Sequence, residues 1–156
     1  MRHRYTLTLT WTGNLGAGTS HYKDYARDHT ISAPGKSDLL GSADGAFRGD
    51  RERWNPEELL VASLSACHKL WFLHECVDAG VVVTSYRDTP VGEMRTHAGG
   101  AGEFVSVVLR PDVGFAEPVS DGQLAALHAQ AHAKCFIARS VNFPVTVATT
   151  DGSPPR

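Results

Sequence analysis

The chain has 156 residues, the length of one domain that can bury its own core. Hydrophobic residues make up 42%, charged residues 21%, and the formal net charge is −2, a balance that gives no broad attraction to nucleic acid or to an anionic membrane surface. The stretch Met1 to Thr8 has no apolar core of a signal peptide, so the three cysteines (Cys67, Cys76 and Cys135) point to a reducing, cytoplasmic setting and to reactive or packing thiols.

Tyr5-Thr6-Leu7-Thr8-Leu9-Thr10-Trp11 alternates with period two and predicts a half-buried strand. Thr12-Gly13-Asn14 turns, and the glycines from Gly13 to Gly18 read as a loop because no helix opens after them. Short strands are expected near Thr30 to Ala33 and Leu39 to Ser42, followed by a loop from Ala43 to Trp54. Asn55 suits an N-cap, Pro56 the first helical position, and Glu57 and Glu58 the positive end of the helix dipole. That helix is expected from Pro56 to about Ala79, with Gly80 as its stop and Ser63 or Ser65 as break points. Its apolar run from Leu59 to Val77 contains His68, Lys69, His74 and Glu75, which suits a buried helix; a membrane span needs ~20 mostly uncharged residues.

Val81 to Tyr86, Glu93 to His97 and Phe104 to Leu109 follow as strands; Gly99-Gly100 turns after the second and Pro111 ends the third. Such a meander favours antiparallel pairing. Ser120 is expected to cap a second helix from Asp121 to Lys134, with Leu124, Leu127, Ala131 and Cys135 at helical spacing. Phe143 to Thr149 reads as the last strand and Asp151 to Arg156 as a tail. No linker or internal repeat divides residues 1–156, so the expectation is a single α+β domain.

Two cysteines sit in apolar helical segments outside any C-x-x-C motif. One is Ser65-Ala66-Cys67-His68, the other Lys134-Cys135-Phe136-Ile137. A thiol reacts as its thiolate, and two cysteines on two core helices can form a reversible disulfide. Cys76 lies nine positions after Cys67, about two and a half helical turns on, too far to bond with it, and reads as core filler. A competing pattern is His128, His132 and Cys135, an H-x₃-H-x₂-C array that could bind a metal in a noncatalytic module. No nucleotide-binding glycine motif or nucleophile-elbow serine is present.

Asn55-Pro56-Glu57-Glu58-Leu59-Leu60 followed by Ser65-Ala66-Cys67-His68, together with Ala131-His132-Ala133-Lys134-Cys135-Phe136-Ile137-Ala138-Arg139-Ser140-Val141, resembles the osmotically inducible protein C / organic hydroperoxide resistance family. Trp11-Thr12-Gly13-Asn14 and Phe47-Arg48-Gly49-Asp50 fit one branch of it. The resemblance implies a curved antiparallel sheet wrapped around two long central helices in an intertwined homodimer. It implies that Cys67 reduces organic hydroperoxides through a sulfenic acid that Cys135 resolves, with no metal or flavin cofactor and with dithiols, lipoylated proteins among them, as reductants. It also implies an Arg–Glu pair beside the reactive cysteine. Glu57 matches the glutamate, and Arg27 precedes an expected strand as the family arginine does, with Arg48 and Arg53 as rivals. Ten positions separate Glu57 from Cys67, ~15 Å of rise in a straight helix, so either the helix breaks between them or Glu57 meets Cys67 of the other subunit.

Overall fold

Asn55 and Glu58 start the long helix by satisfying each other's ends. The Asn55 side chain accepts from the Glu58 amide at 2.8 Å, and the Glu58 carboxylate accepts from the Asn55 amide at 3.1 Å. In the computed structural model, which describes residues 1–148, α1 then runs unbroken over Pro56–Asp78, through both Ser63 and Ser65. Its C-terminus closes on Gly80 at φ +68°: the Gly80 amide donates to Val77 and the Val81 amide to Cys76 at 2.8 Å. Val81 is thereby used by the helix end, and the strand expected from it begins two residues later.

The chain divides into two compact units, Met1–Leu59 and Leu60–Arg156. The first holds an antiparallel sheet of β1 (Thr8–Trp11), β2 (His29–Ser32) and β3 (Leu39–Gly41), in that order. β1 is shorter than the expected Tyr5–Trp11 strand and is not half-buried: Leu9 and Trp11 stay 57% and 41% exposed. It is an edge strand, with β2 as its neighbour in the sheet. Gly13 is buried where the chain turns against Ala26; a Cβ there would lie 1.9 Å from the Ala26 carbonyl oxygen. The loop expected from Ala43 to Trp54 contains a short 3₁₀ turn, Gly45–Phe47, capped by Asp44. Buried Ser42 donates to Asp28 at 2.9 Å and accepts from the Asp50 amide, and Arg53 lies 3.5 Å from Asp28 and 3.2 Å from Asp50.

In the second unit β4 (Val83–Asp88) pairs antiparallel with β7 (Pro111–Phe115), and β5 (Val91–Thr96) with β6 (Gly102–Leu109), two ladders that follow one another along a ribbon. Its register carries from Asp88↔Pro111 to Val91↔Val108 across the Thr89-Pro90 interruption. The Gly99-Gly100 turn sits at the tip, as expected, both glycines with positive φ. β7 went unforeseen: Pro111 ends β6 but also opens β7, where a missing amide does little harm. α2 (Asp121–Lys134) follows, capped by Ser120, whose hydroxyl accepts from the Gln123 amide. The strand pairs so far are antiparallel, as expected of the meander, but β8 (Val145–Val147) then pairs with β6 in parallel, an exception within the expected antiparallel sheet. The crossover through α2 is what returns the chain to lie parallel. Thr149, the end of the expected last strand, and the Asp151–Arg156 tail lie outside the described residues.

Leu64, His68, Phe72 and Cys76 recur every fourth residue along α1 and form its buried stripe. Leu64 packs with Val107, Leu109 and Val145; Phe72 and Cys76 pack with Leu127 and Ala131. Burying each large side chain contributes roughly 1.5–3 kcal/mol. Among the described residues no helix is long and apolar enough to cross a membrane. If the Asn55–Glu58 box anchors α1, Asn55→Ala will lower the unfolding free energy by about 1 kcal/mol in urea titrations. Gly80→Ala will cost a similar amount, because it forces a Cβ into left-handed backbone.

Candidate active site

Cys67 lies beside the buried stripe of α1 and is itself half-buried. Cys135 is the residue at which α2 ends: its φ of −65° and ψ of 112° turn the chain into extended backbone. That turn seals Cys135 at 1% exposure, and its sulfur accepts from the Ala138 amide at 3.4 Å. The two thiols are free, and Cys67 lies close enough to act on the Cys135 thiol. Burial, then the neighbouring Cys67, push the Cys135 thiol up to about 11, against a smaller downward pull from the Ala138 amide.

Trp71, one turn beyond Cys67, meets Phe136 edge to face at 5.6 Å and has the Lys134 ammonium 5.7 Å from its ring. Lys134 donates to Glu75 at 2.7 Å, and Glu75 is 4% exposed. Phe136 and Leu70 remain 66% and 62% exposed, apolar surface next to the thiols in sequence. Cys76 is buried in the Phe72 cluster, its thiol pushed up by burial and by Glu75.

Sequence reasoning missed a histidine pair, His68 buried and His128 half-buried. His68 Nε2 and His128 Nδ1 are 3.0 Å apart, their rings stacked, with Phe72 stacked on His128 at 4.2 Å between centroids. Burial, then the neighbouring His128, lowers His68 to about 4; burial alone lowers His128 to about 4. His68 Nδ1 and the Tyr86 hydroxyl are buried without a hydrogen-bond partner among the described residues. Asp88, on β4, accepts from Ser65 and from the Arg110 amide at 2.7 Å, and its charge acts on both His68 and Tyr86. The available signal was positional: His68 falls four residues after Leu64 and four before Phe72, on the buried stripe. His128 engages His68, and among the described residues no three His, Cys, Asp or Glu side chains gather as metal ligands.

The remaining candidates lie in the first unit. The Arg27 guanidinium is sandwiched between the Tyr22 and Tyr25 rings, 4.3 and 4.2 Å from their centroids, and donates to the Tyr25 and Tyr22 carbonyls at 2.6 and 2.9 Å. Arg53 is held by Asp28 and Asp50. Arg48 is exposed, at φ 66°, closing the 3₁₀ turn. Glu57 is half-buried and makes no ion pair or hydrogen bond among the described residues, so Arg27 and Glu57 are not paired with each other there, whereas Glu58 is taken by Asn55. Because α1 is unbroken, no helix break brings Glu57 back to Cys67.

The histidine pair makes stability depend on pH. Between the ordinary histidine value of 6.5 and about 4 the unfolded chain binds protons that folded His68 and His128 refuse. This contribution is fully present above 6.5 and is lost as pH falls through that window. Thermal melts should show Tm falling across it, and His128→Phe should flatten the fall. A variant slope as steep as wild type would show that other groups carry it.

Residues 49–150 match the family model described as OsmC-like protein. A solved OsmC-like protein of unknown function from Vibrio cholerae O1 biovar eltor str. N16961 is 32% identical, with a TM-score of 0.83 over 94% of this chain and 98% of that one. An organic hydroperoxide resistance protein from Elizabethkingia anophelis, solved with thiocyanate bound, is 19% identical at TM-score 0.69, over 94% of this chain and 96% of that one. An organic hydroperoxide resistance protein OsmC from Legionella pneumophila is 17% identical at TM-score 0.67, over 95% of this chain and 100% of that one. At those identities the last two show the fold alone. No curated protein matches the chain. The family match, the 32% identity over nearly the whole chain and the shared α+β fold agree with the two-cysteine motif, and the chain belongs to the OsmC-like protein family.

Proposed function

We propose that this protein is a thiol-dependent peroxidase that reduces organic hydroperoxides to alcohols. The observation that carries this reading is the unequal thiol pair: half-buried Cys67 close to sealed Cys135. The Cys67 thiolate attacks one peroxide oxygen, the O–O bond breaks, and the alkoxide leaves and takes a proton as the alcohol. Cys67 is left as a sulfenic acid, and the Cys135 thiol condenses with it, releasing water and forming a disulfide. A dithiol reductant, a lipoylated protein being one such donor, then restores both thiols. The residues alone supply this chemistry, without metal or flavin. Exposed Leu70 and Phe136, with Trp71 and Ile137, offer an apolar tail more contact than hydrogen peroxide can use.

Arg27 is the activating arginine in this reading, because Arg53 already serves two carboxylates while Arg27 has only neutral partners. Glu57, about 15 Å of helical rise from Cys67 of its own chain, orients that arginine beside Cys67 of the partner subunit. The assembly is an obligate, intertwined homodimer, its curved sheet wrapped around the long helices, working in the cytoplasm without nucleic acid or membrane partners. Uncovered Leu9 at 57%, Leu70 at 62% and Val77 at 74% exposure support a second copy.

Cys67→Ser will abolish consumption of cumene hydroperoxide with a dithiol reductant, since a hydroxyl is far less nucleophilic than a thiolate. Cys135→Ser will keep the first turnover and accumulate sulfenic acid on Cys67, seen by mass spectrometry. Full activity in Cys67→Ser would sink the mechanism.

The shared site is tested by mixing an inactive chain with an impaired one. Cys67→Ser and Glu57→Ala subunits, refolded together, will form heterodimers with one site holding both intact residues, restoring up to half the wild-type sites. This requires Glu57→Ala alone to cost at least ~10-fold in rate. No recovery, with exchange verified by tagged chains, would exclude the arrangement across subunits.

A further inference from the structure

Two polar contacts tie α1 to α2, one beside each cysteine. His68, the residue after Cys67, meets His128 at 3.0 Å; Lys134, the residue before Cys135, meets Glu75 at 2.7 Å. The α1 member of each is nearly sealed, His68 at 1% and Glu75 at 4% exposure. Both are directional, and they act at separate points on each helix. One alone would let α2 pivot; together they fix its slide and its rotation against α1. Apolar packing has no such preference, since Leu127 and Ala131 could meet α1 in a neighbouring register. A slide of one helical turn, ~5.4 Å, would break both contacts and leave a sealed imidazole and a sealed carboxylate unpartnered, the costly outcome for buried polar groups.

We propose that His128 and Glu75, acting through His68 and Lys134, are positioning residues that hold the Cys135 sulfur against Cys67 and so set how fast an oxidised Cys67 is resolved. The proposal rests on reading Cys67 and Cys135 as the redox pair. In the resolving step the S–O bond of the Cys67 sulfenic acid breaks, the S–S bond forms, and the Cys135 proton leaves with the hydroxyl as water. A second peroxide competes by oxidising the same sulfenic acid to sulfinic acid. Misplacing Cys135 therefore diverts Cys67 to the sulfinic product and leaves its first reaction untouched.

His128→Phe keeps a ring to stack on Phe72 but removes the nitrogen, and Lys134→Met keeps length but removes charge. With one equivalent of cumene hydroperoxide, quenched samples read by mass spectrometry will show Cys67 oxidised at the wild-type rate within about twofold. Disulfide formation will be slower by ~10-fold or more in each variant, as sub-ångström misplacement of reacting groups predicts, and excess peroxide will raise the sulfinic fraction. Disulfide closing at the wild-type rate in variants with native circular dichroism would overturn the proposal, even where Tm has dropped. If either variant fails to fold, Glu75→Gln keeps the shape without the charge; intermediate slowing supports the proposal and a wild-type rate overturns it. Diamide separates this proposal from the peroxidase reading, because it accepts two electrons and two protons from a thiol pair without peroxide. Fast closure in wild type and slow closure in the variants, with no reaction of Cys67 toward hydroperoxide, would sustain the positioning role and defeat the peroxidase. Failure of wild type to close the Cys67–Cys135 bond with diamide would defeat the positioning role.

Discussion

The apolar packing of the second unit is built on one buried face of α1. Leu64, His68, Phe72 and Cys76 lie on that face at four-residue spacing, and both apolar clusters close on it. A stripe that narrow dictates what stands next to it. Cys67, one position out of phase with His68, falls at its margin, where it is half-buried and still reachable. The same phase sends His68 inward, into contact with His128 on α2. The position of the reactive thiol and the presence of a polar bridge in the core are thus two results of one periodicity.

The difference between the thiols has a simple physical source. Cys135 sits where a helix ends and the chain turns, so its sulfur is enclosed and meets the Ala138 amide. Enclosure disfavours a thiolate, and the neighbouring Cys67 disfavours it further. A pair in which one thiol is enclosed and the other can be reached divides the work before any reagent arrives.

Much of this was legible in the sequence where the determining chemistry is local. Asn55, Glu58, Gly80 and Ser120 fix helix ends through contacts no more than five residues long, and both helices stand within a residue or so of expectation. Pairing across long separations was not legible. Pro111 read as a stop and is also the start of β7, and nothing near Val145 announces a parallel partner at Val107. The alternation in Tyr5 to Trp11 marks two faces, but period two cannot say whether anything covers either, and Leu9 and Trp11 stay exposed. At the site, the cysteine motifs stood out, whereas His68 and His128 are 60 residues apart and Glu75 looked like a mere interruption of an apolar run. The Tyr22–Arg27–Tyr25 sandwich depends on loop conformation, which composition does not encode.

The parallel pairing of β6 with β8 also sets the order in which the chain can complete itself. Val107 and Leu109 leave the ribosome well before Val145, and the ribbon that carries them can close on its own as a hairpin. The first apolar cluster cannot be sealed until α2 has been made and the chain has crossed back. During synthesis, Leu64, Val107 and Leu109 therefore wait with an open strand edge beside them, the kind of surface on which nascent chains associate and chaperones act. Closing that edge is a long-range event with a slow loop search, which makes the docking of Val145 to Val147 the step that separates a collapsed chain from a finished one.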